Sequence, residues 1–131
     1  MARILVAEDE RDIRELINFT LMFAGHTVTL AANGEEALQK LAEANPELIM
    51  LDVRMPRMTG YEACRQIRLI EAYTAVPVIM LSAKGQDEEM QSGIDAGATA
   101  YLLKPFSPDD LARKISGFLK PPTPVEQAST P

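Results

Sequence analysis

The chain alternates two kinds of apolar pattern, and that alternation restricts its fold more than any other feature. Short β-rich runs stand at RILVA (3–7), HTVTLA (26–31), LIML (48–51), VPVIML (76–81) and AYLL (100–103), each too short for a helix. Between them lie longer segments with helical spacing. Ile13, Leu16, Ile17, Leu21 and Ala24 form one stripe, and Leu111, Ala112, Ile115, Phe118 and Leu119 form another. A strand apolar at consecutive positions has two faces to cover, and amphipathic helices supply the covers. The pattern predicts five strands alternating with five helices, in a parallel sheet layered on both faces.

Helix ends are marked independently. Asn33 and Glu36, Thr59 and Glu62, and Ser107 and Asp110 each set a capping side chain three residues before an acid. Pro108 suits a first helical position, where its missing N–H costs nothing. Gly25 and Gly97 stand where left-handed helix stops are expected.

A length of 131 residues suits one domain, expected over 1–120. From PPTPVEQASTP (121–131) the pattern gives way to Pro, Ser, Thr and Gln with the single charge of Glu126, the composition of a disordered tail or a linker. Thirteen basic against 19 acidic residues give a net charge of −6, and no Lys/Arg block occurs. Direct binding to nucleic acid or an anionic membrane is therefore not expected. The amino-terminal apolar run is too short for a signal peptide, and no segment approaches the roughly 18 apolar residues of a membrane span. The expected location is cytoplasmic. Cys64 is the only cysteine and reads as a small helix residue against the sheet. His26, after Gly25, has no second ligand nearby and reads as a surface side chain, while the seven Met residues are scattered as packing groups would be.

In such sheets ligands bind beyond the carboxyl ends of the strands. The expected strands end in Glu8 and Asp9, in Asp52, in Ser82, and in Lys104 followed by Pro105. Singly, each has a plain explanation as a helix cap, a turn residue or a solvated charge. Together they require more, because carboxylates about 4 Å apart repel by a few kcal/mol at an intermediate dielectric. Lys104 offsets part of that cost and a divalent cation would offset the rest. Oxygen-only donors suit Mg²⁺ first and Mn²⁺ next, with Zn²⁺ disfavoured for want of His or Cys partners. No phosphate-binding G-x-x-x-x-G-K-[ST] loop is present. Acid, metal, hydroxyl and ammonium together fit phosphoryl transfer, in which a carboxylate can be the acceptor.

The stretches ILVAEDE, LIMLDVRMPRMTGYEACRQIR, PVIMLSA and GATAYLLKPF, in this order and spacing, resemble the receiver domain of two-component response regulators from residue 2 to about 120. The resemblance implies a flavodoxin-like fold with strand order 2-1-3-4-5. It makes Asp52 the phosphoacceptor, supplied by a histidine kinase or phosphotransfer protein. It implies Mg²⁺ bound by Asp9, Asp52 and the backbone carbonyl of Arg54, with Glu8 acting through water where many members carry Asp. Ser82 would hydrogen-bond the phosphoryl group, Lys104 would pair with its charge, and Ala83 would leave it room. Ser82 and Tyr101 match the switch positions, and Lys104-Pro105 matches a bond that is typically cis.

Arg54 and Lys84 fall at positions flanking the phosphoryl group and are expected to tune its lifetime. The implied role is a phosphoacceptor that assists its own phosphorylation and dephosphorylation. The fourth helix, beginning near QDEEM (86–90), with the fifth strand and helix would form the switched surface. That surface would meet a downstream protein or a covalently linked output domain, and phosphorylation would in many members promote dimerisation. The alternatives are a pseudo-receiver that works without phosphorylation, and another flavodoxin-like ligand-binding module, against whose flavin form the lack of aromatic residues at the strand ends counts.

Overall fold

The computed structural model describes residues 1–83 and 94–119. Five strands, β1 (Arg3–Ala7), β2 (Thr27–Ala31), β3 (Leu48–Asp52), β4 (Val78–Ser82) and β5 (Ala100–Leu103), fall where the apolar runs predict them. They form one sheet of order β2-β1-β3-β4-β5, parallel throughout. The helices are α1 (Arg11–Phe23), α2 (Gly34–Ala44), α3 (Gly60–Arg68), α4, described at residues 94–96, and α5 (Pro108–Phe118). The chain thus has the flavodoxin-like fold that the resemblance implied, with five strands and five helices.

Period-two alternation along the strands sorts the core into two layers. Leu5, Ile49, Leu51 and Met80 pack with Leu41, Ala63 and Ile67 on one face. Ile4, Val6, Met50, Ile79 and Leu81 pack with Ile17, Leu21, Leu111 and Ile115 on the other. Every residue of β3 and β4 is buried, which explains their unbroken apolar sequence. Each such Leu or Ile contributes about 1.5–3 kcal/mol by leaving water.

The helix ends follow the sequence signals. Thr59 and Ser107 form complete capping boxes with Glu62 and Asp110, and the Asn33 side chain accepts from the Glu36 N–H. Gly25 and Gly97 adopt φ of +95° and +98°, as left-handed stops require. Cys64 is buried on α3 against the sheet, as expected.

The structure corrects three expectations. The α1 stripe is narrower than its spacing, since Ile17 and Leu21 are buried while Leu16 and Ala24 are exposed. Ala112 likewise faces outward on α5. His26 is half-buried, and its Nδ1 accepts the Ala2 N–H at 3.0 Å. A short 3₁₀ turn at Glu71–Tyr73 was not anticipated. The start of the fourth helix near QDEEM, Lys84 and the tail 121–131 lie outside the described residues. Among the described residues no helix is long and apolar enough to cross a membrane.

One side chain ties the lower rim of the sheet together. Arg68, at the end of α3, donates to the carbonyls of Gly97 (2.9 Å), Tyr73 (2.8 Å) and Val76 (2.7 Å) and reaches Thr99 Oγ1 at 3.3 Å. Thr99 Oγ1 in turn accepts the Val78 N–H at 3.0 Å, so the guanidinium joins α3, the 3₁₀ turn, β4 and the approach to β5. Lysine lacks the fork that serves several carbonyls at once. Arg68→Ala is expected to lower stability by about 2–3 kcal/mol, and Arg68→Lys to recover less than half of that, as read from urea unfolding midpoints.

Candidate functional site

Parallel strands end together, so the residues that close β1, β3, β4 and β5 meet along one edge. Glu8 follows β1 and is fully buried. Its backbone N–H donates to Ala31 at 3.0 Å, and its Oε2 accepts the Glu10 N–H at 3.0 Å. Asp52 closes β3 at 5% exposure, Ser82 closes β4 fully buried, and Asp9 is exposed. Lys104 follows β5, held by its own N–H to the Ser82 carbonyl at 2.7 Å, and its bond to Pro105 is cis, as the resemblance implied.

The charges interlock. Lys104 Nζ lies 3.0 Å from Glu8 Oε1 and 3.3 Å from Asp52 Oδ1. Oε1 of Glu8 is buried and faces the Lys104 ammonium. Glu8, Asp9 and Asp52 each offer a carboxylate oxygen, all within 4.8 Å of one another. Burial, and after it the Glu8 charge, pushes the Asp52 carboxyl up to about 8; Lys104 opposes that rise, while hydrogen bonds that the protonated carboxyl donates to Glu8 and Asp9 add to it. Burial alone would lower the Lys104 ammonium, but its contacts with Glu8 and Asp52 outweigh burial and raise it. One lysine does not balance three carboxylates, which is the setting in which the Asp52 carboxyl rises. The all-oxygen donor set of Glu8, Asp9 and Asp52 fits a hard divalent cation.

Above these groups is a cleft of about 280 Å³, lined by Asp9, Glu10, Asp52, Val53, Arg54, Ala83 and Lys104. Arg54 and Ala83 therefore border the cleft over Asp52. Tyr101 pairs with Met80 across β4 and β5, and Ser82 is two residues beyond Met80, so register places Ser82 and Tyr101 on the same face. Tyr101 is half-buried against the α3-side core.

The turn after Asp52 leaves no spare room. Gly60 packs so close that a Cβ there would collide with the Asp52 carbonyl oxygen, and its N–H donates to Val53 at 3.1 Å. Arg57 adopts φ of +69° in the same loop and pairs with Glu35 of α2 at 2.7 Å. Sequence reasoning missed Arg14, whose side chain meets the backbone beneath Glu8 and Asp9. The available signal was a second arginine in the first turn of a helix, where acids are favoured.

Comparison with known proteins identifies the family and the fold. Residues 4–116 match the family model described as "Response regulator receiver domain". The chain is 40% identical over 126 residues to the response regulator MprA of Mycolicibacterium vanbaalenii, covering 96% of this chain and 54% of that protein. It spans about half the length of the curated relatives it matches. Among solved structures, the chemotaxis response regulator CheY4 of Vibrio cholerae superposes with a TM-score of 0.87 at 39% identity, covering 91% of this chain and 99% of that one. The receiver domain of the sensor histidine kinase PA1611 from Pseudomonas aeruginosa superposes with a TM-score of 0.81 at 33% identity, over 88% of this chain and 94% of that one. That receiver is described with a magnesium ion coordinated in its active site cleft.

The raised Asp52 carboxyl links stability to pH. Between the ordinary value of 3.8 and about 8 the native state keeps a proton that the unfolded chain has lost, so stability falls as pH rises through that window. Asp52→Asn removes the effect. In metal-free buffer its stability advantage over wild type is expected to be small near pH 4 and to grow by roughly 2 kcal/mol or more by pH 8, measured by chemical denaturation.

Proposed function

This chain belongs to the family of response regulator receiver domains, and we propose that it is a working phosphoacceptor with Asp52 as its nucleophile. The supporting observation is the buried Asp52 carboxylate, flanked by Glu8, Asp9 and Lys104 at the mouth of an open cleft. In the proposed step an Asp52 oxygen attacks the phosphorus of a phosphohistidine on a kinase or phosphotransfer protein. An O–P bond forms, the N–P bond breaks, and its electron pair returns to the imidazole. Lys104 shifts from its carboxylate partners to the phosphoryl charge, and Ser82 donates its hydroxyl to a phosphoryl oxygen. The small Ala83 side chain admits the group, and Arg54 overhangs it.

Asp9, Asp52 and the carbonyl of Arg54 would hold Mg²⁺, with Glu8 acting through water, and Mn²⁺ has the same donor preference. When bound, the metal supplies neutralisation of the charge on the transferring group. The magnesium-bound receiver of PA1611, at 33% identity, supports this choice of metal.

Ser82 and Tyr101 form the switch in this reading. They convert a new dianion at the strand ends into a rearranged surface around β5 and α5. Residues 1–120 make the receiver and 121–131 a linker or tail. Because the relatives are about twice as long, the output is either a covalently linked domain or a separate protein partner.

Two measurements test the reading. Incubation with Mg²⁺ and acetyl phosphate is expected to add one phosphoryl group to the wild type by intact mass. The adduct should be absent from Asp52→Asn and abolished by prior EDTA. An unmodified wild type would favour a pseudo-receiver. Arg54→Ala is expected to change the half-life of the adduct several-fold while leaving its formation intact, followed by mass after donor removal; an unchanged half-life would make Arg54 a solvated charge only.

A further inference from the structure

Arg14 lies in the first turn of α1, and its backbone N–H donates to the Glu10 carbonyl at 2.9 Å. The N-cap of this helix, Glu10, makes no side-chain cap bond. The Arg14 side chain instead folds back over the β1–α1 junction. Nη1 donates to the Glu8 carbonyl at 2.8 Å and reaches the Asp9 carbonyl at 3.4 Å. These two peptides belong to the residues whose carboxylates face Asp52.

The choice of acceptor matters. A guanidinium bonded to the carboxylates would compete with a metal for the same oxygens. Bonded to the peptide carbonyls, it orients the carboxylates and leaves their oxygens available. The turn thus has a cation on each side, Lys104 on its carboxylates and Arg14 on its backbone. With the Glu8 Oε2 bond to the Glu10 N–H, three hydrogen bonds fix this one turn.

We infer that Arg14 is a positioning residue for the metal site: by gripping the Glu8 and Asp9 carbonyls it holds the strand-to-helix turn in the form in which the Glu8, Asp9 and Asp52 oxygens converge, and so sets the affinity for a divalent cation. The inference rests on the receiver reading above.

The test is calorimetric titration of Mg²⁺ into EDTA-stripped wild type, Arg14→Gln and Arg14→Lys, with metal-free thermal midpoints recorded alongside. Arg14→Gln is expected to weaken Mg²⁺ binding about ten-fold, the scale of losses when groups supporting metal ligands are removed. Arg14→Lys, which keeps the charge and one donor, should recover part of it. The Mg²⁺ concentration that half-saturates phosphorylation by acetyl phosphate should rise in parallel.

Equal Mg²⁺ affinity in wild type and Arg14→Gln would overturn the inference. So would a lowered thermal midpoint with half-saturation unmoved, since that marks a merely structural arginine. If Arg14→Gln does not fold, amide exchange in the wild type decides. Protection of the Glu10 amide before Mg²⁺ is added supports a preset turn, and protection appearing only with Mg²⁺ refutes it. A wild type that binds no Mg²⁺ sinks this inference together with the metal reading. One that binds Mg²⁺ but accepts no phosphoryl group sinks the receiver reading alone.

Discussion

Lys104, shared between Glu8 and Asp52 at 3.0 and 3.3 Å, is the contact on which the rest of this strand-end cluster depends. Glu8 is fully buried and Asp52 nearly so, and the Lys104 ammonium is the opposite charge that offsets part of the cost of burying them. Removing one partner from such a pair typically costs about 3–5 kcal/mol, because the remaining charge is left buried and unbalanced. The sheet exists in this form, in functional terms, to bring a residue from beyond its edge strand to the ends of its two central neighbours. Strand order does this directly. β1 and β3 are adjacent, β4 separates them from β5, and all run the same way.

The lysine satisfies the carboxylates only in part, and that shortfall is chemically useful. A fully neutralised cluster would have no need of a metal and little nucleophilic character. The raised Asp52 carboxyl marks a cluster whose charge one ammonium leaves unbalanced. The loop after Asp52 is made stiff to hold this arrangement. Gly60 packs against the Asp52 backbone where no side chain fits, and Arg57 keeps a left-handed conformation, secured by Glu35.

Much of this was legible in the residues because it follows from period and end chemistry. The strands could be read because β3 and β4 are buried on both faces and so carry no polar interruption until Asp52 and Ser82. Caps could be read because Thr59 and Ser107 bond neighbours three residues away. The functions of Arg14 and Arg68 could not, since each bonds backbone carbonyls, groups that every residue carries and no sequence pattern distinguishes. The exposure of Leu16 was missed for a related reason. Helical spacing gives the direction of a stripe, and only the fit of α1 against the sheet and α5 gives its width.

β5 lies at the margin of the sheet, bonded to β4 on one side only. It is also the shortest strand, at four residues, and the one between Gly97 and the Lys104-Pro105 bond. In mechanical terms it is an outer leaf of the plate, held by one ladder, while β1 and β3 are held on both flanks. Lys104, which follows β5 and contacts Glu8 and Asp52, is therefore a tether as well as a counter-ion: it ties this margin, across β4, to the ends of the two strands that carry the acids.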